Sequence, residues 1–200
     1  MAIRACDELP FGLSWTIDEP MERTSHALAH DGRVWIVDPV DDGDAIERAR
    51  ALGEPAAVLR LLDRHGRDAD AVAARLGVPL LDVPDAVPDS PFHVVPLLRR
   101  RWWREVALWW PQRRALVVPE AVGTGAMFTG GGARVGVHLL LRLRPPRTLA
   151  AFAPEHLLVG HGPGVHGPDT PAALSEALHR SARDLPRVLV GLPRAVRGGG

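Results

Sequence analysis

Residues 157–167 read Leu157-Leu158-Val159-Gly160-His161-Gly162-Pro163-Gly164-Val165-His166-Gly167. Three apolar residues make a short strand, and a glycine-rich turn follows. Glycine backbones bend sharply with no Cβ in the way, so His161 can be brought forward at a strand end without obstruction. The plain alternative is a Gly-rich turn with an incidental histidine. Glycine loses more conformational freedom on folding than any other residue, so a turn with this many is expected to place something.

Three more loops follow apolar runs, the position where open α/β sheets carry their sites. Val37-Asp38-Pro39 ends the run Arg33 to Val37 with a carboxylate, although Asp is also an ordinary turn residue. The run Ala57 to Leu62 leads into Asp63-Arg64-His65-Gly66-Arg67-Asp68. Without function that loop is a helix start capped by Asp68, with solvated arginines. Leu116-Val117-Val118-Pro119-Glu120-Ala121-Val122-Gly123 puts Glu120 directly after a buried strand, where it is otherwise a turn glutamate.

Periodicity places these loops in a frame. Strands are expected at residues 13–17, 25–29, 33–37, 57–62, 79–83, 92–95, 103–109, 115–118, 135–143 and 157–159. Helices are expected at 42–52, 68–76 and 170–183, the first two stopped by Gly53 and Gly77. Strands, then strand–helix–strand–helix, then more strands and a final strand–helix fit two sheets covered by helices. Residues 1–193 are expected to form one domain, with 194–200 a disordered tail.

Bulk properties narrow the function class. The chain has 200 residues and one cysteine, Cys6, so no intramolecular disulfide forms, and a reducing cytoplasmic compartment fits. Residues 1–10 lack the apolar core of a signal peptide, and no run is long and apolar enough to span a bilayer. Acidic and basic residues number 24 each, and zero net charge argues against a nucleic-acid partner. Every basic residue is arginine, so no lysine is available for Schiff-base or general-base chemistry.

The run Arg99 to Trp110 reads RRRWWREVALWW. Alternation puts Trp103 and Trp109 on one face and Trp102, Val106, Leu108 and Trp110 on the other. Two apolar faces point to a buried strand or to a homodimer interface through 102–110. Basic residues beside aromatics also permit a single-strand nucleic-acid platform, which the balanced charge disfavours.

An Asp after a strand, a His-bearing strand-to-helix turn, a carboxylate-Ala-x-Gly turn and Gly-His-Gly occur here in that order. This resembles the metallo-β-lactamase superfamily over roughly Leu13 to Arg183, most specifically in LLVGHGPGVHG followed by a helix. The resemblance implies an α/β (α+β) fold: an αββα sandwich of two mixed β-sheets flanked by helices. In that family the second loop reads H-x-H-x-D-H, and its helix ends in a turn like Leu76-Gly77-Val78-Pro79. Counting back puts His65 on the last His, Arg64 on the Asp, Leu62 on the second His and Arg60 on the first. Starting the motif at His65 instead would put Arg67, Ala69 and Asp70 on ligand positions, at the expense of helix length and strand end. The family's Pro-Gly-His turn has no counterpart between Pro96 and Glu105, and Glu120 stands for the bridging Asp.

What the resemblance leaves as metal ligands is His65, Glu120 and His161, with Asp38 behind them and Arg64 in a ligand's place. Three functions are open. The first is a degenerate, non-catalytic or cryptic member without metal, in which Arg64 pairs with Glu120. The second is a mono-zinc hydrolase of an ester, thioester or phosphoester, since two His and one Glu form a catalytic zinc set with a fourth position for water. The third is an interaction module using strand 99–110. The expected partner of the protein is an unidentified small molecule or none. His26, His30, His138, His156 and His179 read as ordinary surface or core histidines. In each case where the scaffold holds, His65, Glu120 and His161 must converge in one cleft.

Overall fold

The computed structural model describes residues 3–197, and side chains through residue 191. Strands β1 (Ile3–Leu9), β2 (Gly12–Ile17), β3 (Thr24–His30) and β4 (Arg33–Val37) form an antiparallel meander. Helix α1 (Gly43–Ala51) crosses to β5 (Glu54–Arg60), and α2 (Ala69–Leu76) crosses to β6 (Leu80–Asp82). Both crossovers give parallel pairs, so the six-stranded sheet is mixed and runs in sequence order. Asp42 starts α1 by accepting from the Ala45 N–H at 2.9 Å, which satisfies one of the donors a helix start leaves open. Gly77, at φ 67°, ends α2.

The second sheet begins with the hairpin β7 (His93–Arg100) and β8 (Trp103–Trp110), followed by β9 (Ala115–Val118). A small pair, β10 (Val122–Gly123) and β11 (Gly136–Val137), brackets α3 (Ala126–Thr129). Then come β12 (His156–Val159), parallel to β9, and β13 (Val165–His166), α4 (Thr170–Arg180) and α5 (Leu185–Arg197). The sheet order is β13-β12-β9-β8-β7, again mixed.

Three apolar clusters make the layers. Leu28, Trp35, Val37, Leu59 and Leu61 of the first sheet meet Val106, Leu108, Trp110, Val117 and Leu158 of the second, forming the sandwich interior. The outer face of the first sheet packs on Ile46 and Ala49 of α1 and Val72 and Ala73 of α2. The outer face of the second packs on Leu174 and Leu178 of α4. This is the αββα sandwich implied by the sequence. Among the described residues no helix is long and apolar enough to cross a membrane.

Several segments differ from expectation. Residues 135–143 are not one strand. Only Gly136–Val137 pairs, and His138 then caps a helical turn over Leu139–Leu141, its Nδ1 accepting from the Leu140 N–H at 3.3 Å. Strand β1 and helix α5 lie outside the expected elements. Pro186 sits in the first turn of α5, where the missing N–H costs no hydrogen bond. The expected tail from 194 overlaps the end of that helix, which runs to Arg197; residues 198–200 lie outside the described residues. Strand β8 is paired on both edges, and Trp103 and Trp110 are buried, so this run belongs to the core. Trp102 lies in the hairpin turn and is 56% exposed.

Candidate metal centre

Four chain segments meet at one end of the sandwich. Asp38 follows β4, His65 follows β5, Glu120 follows β9 and His161 follows β12. The glycines beside His161 are required by close approach. A Cβ on Gly160 would lie 2.0 Å from the Pro119 carbonyl oxygen. Gly162, at φ 89°, would put a Cβ 2.4 Å from Thr124 Oγ1. The His161 turn is therefore seated directly on the loop after β9, and that contact brings His161 to Glu120.

The Nε2 atoms of His65 and His161 lie 3.0 and 2.9 Å from the same oxygen, Glu120 Oε2. His161 Nδ1 is 2.7 Å from the Met21 carbonyl oxygen. A carbonyl only accepts, so Nδ1 carries the hydrogen, and a neutral His161 turns a bare Nε2 lone pair toward the carboxylate. His65 stands between acceptors in the same way. Its Nδ1 is 3.1 Å from Asp38 Oδ2, an ion-pair distance, and its Nε2 faces Glu120. Two imidazole nitrogens thus meet one carboxylate oxygen, and positive charge has to lie between them. Two Nε2 protons supply it; so does one divalent cation, at the same total charge.

A third histidine completes the cluster. His138 Nε2 lies 3.2 Å from Glu120 Oε1. Because His138 Nδ1 accepts from Leu140, its hydrogen sits on Nε2, the atom that faces Glu120 at ion-pair distance. Burial pushes the His138 pKa below its ordinary value, which keeps the ring neutral. His138 holds one carboxylate oxygen and leaves the other for His65 and His161. Nothing local in the sequence marks it. Its role depends on the break after β11 that carries it to Glu120.

Charged groups behind the ligands set their electrostatics. Burial pulls the Glu120 pKa up, but His161 and His65 hold it far below the usual carboxylate range. Burial acts likewise on Asp38, and His65 beside it keeps it ionised. Burial and Arg67 both oppose a charge on His65, yet Asp38 and Glu120 hold its pKa above the ordinary value. Glu105 is fully buried, and its Oε1 accepts from the Glu120 and Ala121 N–H groups at 3.1 and 2.8 Å. Its Oε2 accepts from Trp103 Nε1 at 2.8 Å. The Arg67 guanidinium donates to the carbonyls of Thr24, Asp38 and Gly160 at 2.5, 3.1 and 2.8 Å, tying together the ends of three strands. Neither Glu105 nor Arg67 was a sequence candidate under the preferred register.

The remaining sequence candidates fall elsewhere. Arg60 turns away and pairs with Asp70 and Asp82. Leu62 is buried, 1% exposed, and lines the cleft. Arg64 was expected on Glu120, but its guanidinium carbon lies 4.1 Å from the centre of the Trp103 ring. Three imidazoles already satisfy Glu120, so the guanidinium gains more by stacking on an indole face.

The cluster opens into a cleft of about 520 Å³, walled by Met21, Leu62, Arg64, His138 and Leu140. One ligand atom each from His65, Glu120 and His161 lies within 4.8 Å of the others, compact enough to share one ion at zinc-ligand distances of about 2 Å. The donor set, two imidazoles and a carboxylate with their outer atoms held by neighbours, fits such an ion.

No family model and no curated protein matches this sequence. Solved structures do match. The metallo-β-lactamase FIM-1 from Pseudomonas aeruginosa, in its mono-zinc form, aligns with TM-score 0.58 and 10% identity, covering 91% of this chain and 97% of that one. The metallo-β-lactamase DIM-1 aligns with TM-score 0.58 and 13% identity over 92% of this chain and 98% of that one. The chemotaxis sensor ODP from T. denticola, in its apo state, aligns with TM-score 0.56 and 10% identity over 90% and 93%. With two mixed sheets and flanking helices, this chain has the metallo-β-lactamase fold.

Proposed function

We propose that this chain is a mono-metal member of the metallo-β-lactamase superfamily that holds one zinc ion on His65, Glu120 and His161 and hydrolyses a small ester, thioester or phosphoester. One observation carries the reading: the Nε2 atoms of His65 and His161 both face Glu120 Oε2, while their Nδ1 atoms face Asp38 and the Met21 carbonyl. Acceptors on both sides of each ring call for a cation at the shared point. Arg60 and Leu62 stand where a second ion's histidines would be, so the site is reduced to one ion.

Zinc in this position supplies Lewis acidity and brings the ionisation of water into the neutral range. The rest is the work of the chain. Asp38 and the Met21 carbonyl fix the two ligand rings, as carboxylates and carbonyls behind metal-bound histidines do. His138 orients Glu120 from its other oxygen. Met21, Leu62 and Leu140 give the cleft apolar walls that limit bulk water around a bound substrate.

The second reading keeps two protons in place of the ion and makes the protein a non-catalytic scaffold. The permanent charge of Arg64 on the cleft wall favours it, because like charge opposes a bound cation. Purification without chelator from zinc-replete medium, followed by metal analysis, decides between them. About one zinc per chain in the wild type and none in Glu120→Ala supports the mono-metal reading. A wild type that comes out metal-free and takes up none on addition assigns the cluster to protons.

A further inference from the structure

We infer that Arg64, stacked on Trp103, is the anchor for an oxyanion of the ligand, a carboxylate or phosphate group presented to the cleft beside the His65–Glu120–His161 cluster. The inference names the ligand class of the cleft and rests on reading that cleft as a substrate site. A guanidinium has two faces and an edge of five N–H donors. In Arg64 the 4.1 Å stack on the Trp103 ring occupies a face and leaves the edge free. Among the described residues, Arg64 makes no ion pair and donates no hydrogen bond. Every other charged group in the cleft has a partner. Glu120 faces three histidines, Arg23 pairs with Glu19, and Arg67 is held by three carbonyls.

The platform under Arg64 is rigid. Trp103 is fully buried, its Nε1 donates to the buried Glu105, and its ring meets His138 edge-on at 4.9 Å. Glu105 in turn accepts from the Glu120 backbone. The guanidinium therefore stands on the same buried frame that holds the candidate ligands. A planar fork, pre-oriented by stacking and short of acceptors, matches the paired oxygens of a carboxylate or phosphate.

Calorimetric titration with inorganic phosphate and with succinate, at fixed ionic strength, tests this on zinc-loaded and chelator-treated protein. Arg64 is exposed, so its variants should fold like the wild type. The expected result is millimolar or tighter binding of at least one anion, weakened about ten- to hundredfold in Arg64→Gln and partly restored in Arg64→Lys, which returns the charge but not the fork. Preference for phosphate points to a phosphoester ligand, and preference for succinate to a carboxylate-bearing ester or thioester. Zinc content measured on the same samples should be the same in all three proteins. Equal affinity in wild type and Arg64→Gln, or binding seen only with zinc and indifferent to residue 64, overturns the inference. Arg64-dependent binding in a protein that takes up no zinc upholds it and removes the mono-metal reading alone.

Discussion

His161 and Glu120 face each other acceptor to acceptor: Nε2 and Oε2 are 2.9 Å apart, while His161 Nδ1 spends its hydrogen on the Met21 carbonyl at 2.7 Å. Such a pair calls for a proton or a metal ion between its two acceptors. The chain builds the approach from two glycine-dependent contacts and one carbonyl, none of which involves a charged group. The scaffold therefore imposes the geometry of the two acceptors.

His138→Phe should keep the aromatic packing against Trp103 and Phe128 while removing the Nε2 that faces Glu120 Oε1 at 3.2 Å. Zinc affinity should fall about ten- to hundredfold, the usual effect of losing a group that orients a metal ligand. Competition with a chromophoric chelator reads this directly. Unchanged affinity would show that Glu120 is oriented without His138.

Burial pushes the Glu105 carboxyl up to about 7, from an ordinary value of 4.5. Between those pH values the folded protein keeps a proton that the unfolded chain has released. Stability from this group is therefore highest below pH 4.5 and declines until about pH 7. Urea unfolding of chelator-treated wild type and Glu105→Gln across this range isolates it. The stability of wild type relative to the variant should decrease as pH rises. A pH-independent difference would contradict the assignment.

Gly160→Ala places a methyl 2.0 Å from the Pro119 carbonyl oxygen, a backbone atom that cannot rotate away. The expected cost is about 2–3 kcal/mol, with His161 displaced from Glu120. Gly66→Ala, in the loop beside His65, meets nothing within 4 Å and should change stability by less than about 0.5 kcal/mol. Thermal unfolding of the two variants should separate them clearly, and similar melting temperatures would refute the contact argument.

Arg67→Met removes the donors to the carbonyls of Thr24, Asp38 and Gly160 while retaining an unbranched stem. Bonds from a charged donor to enclosed carbonyls predict a loss of about 2–3 kcal/mol. Hydrogen exchange should speed up at the ends of β3, β4 and β12 ahead of the rest of the sheet. Uniform acceleration throughout would mean that Arg67 has no local role at these strand ends.

Much of the frame was legible in the chain itself. Alternation correctly assigned Trp103 and Trp109 to one apolar cluster and Val106, Leu108 and Trp110 to another, while Trp102, expected with the second set, lies exposed in the hairpin turn. Gly77 marks the end of α2 because a left-handed stop is a local matter, whereas Asp68, expected to cap α2, makes no side-chain bond to the helix and accepts instead from the Asp41 N–H. The Gly160-His161-Gly162 turn announced itself because glycine's conformational freedom is a local property. The order of strand-end loops then led to His65, Glu120, His161 and Asp38, which the fold gathers within hydrogen-bonding reach of one another.

The tertiary structure decided which atoms face which. In the sequence His138 reads as an ordinary surface or core histidine, and Arg64 as the partner of Glu120. Their assignments are exchanged, because the chain turns after β11 to carry His138 to Glu120 while Trp103 offers Arg64 an aromatic face. Glu105 and Arg67 likewise gained their roles from backbone groups distant in sequence. Capping, alternation and glycine turns are settled by near neighbours, so a sequence can state them. The partner of a buried charge is chosen by competition among all groups that the packed sheets bring within reach, and that set exists only once the two sheets have closed.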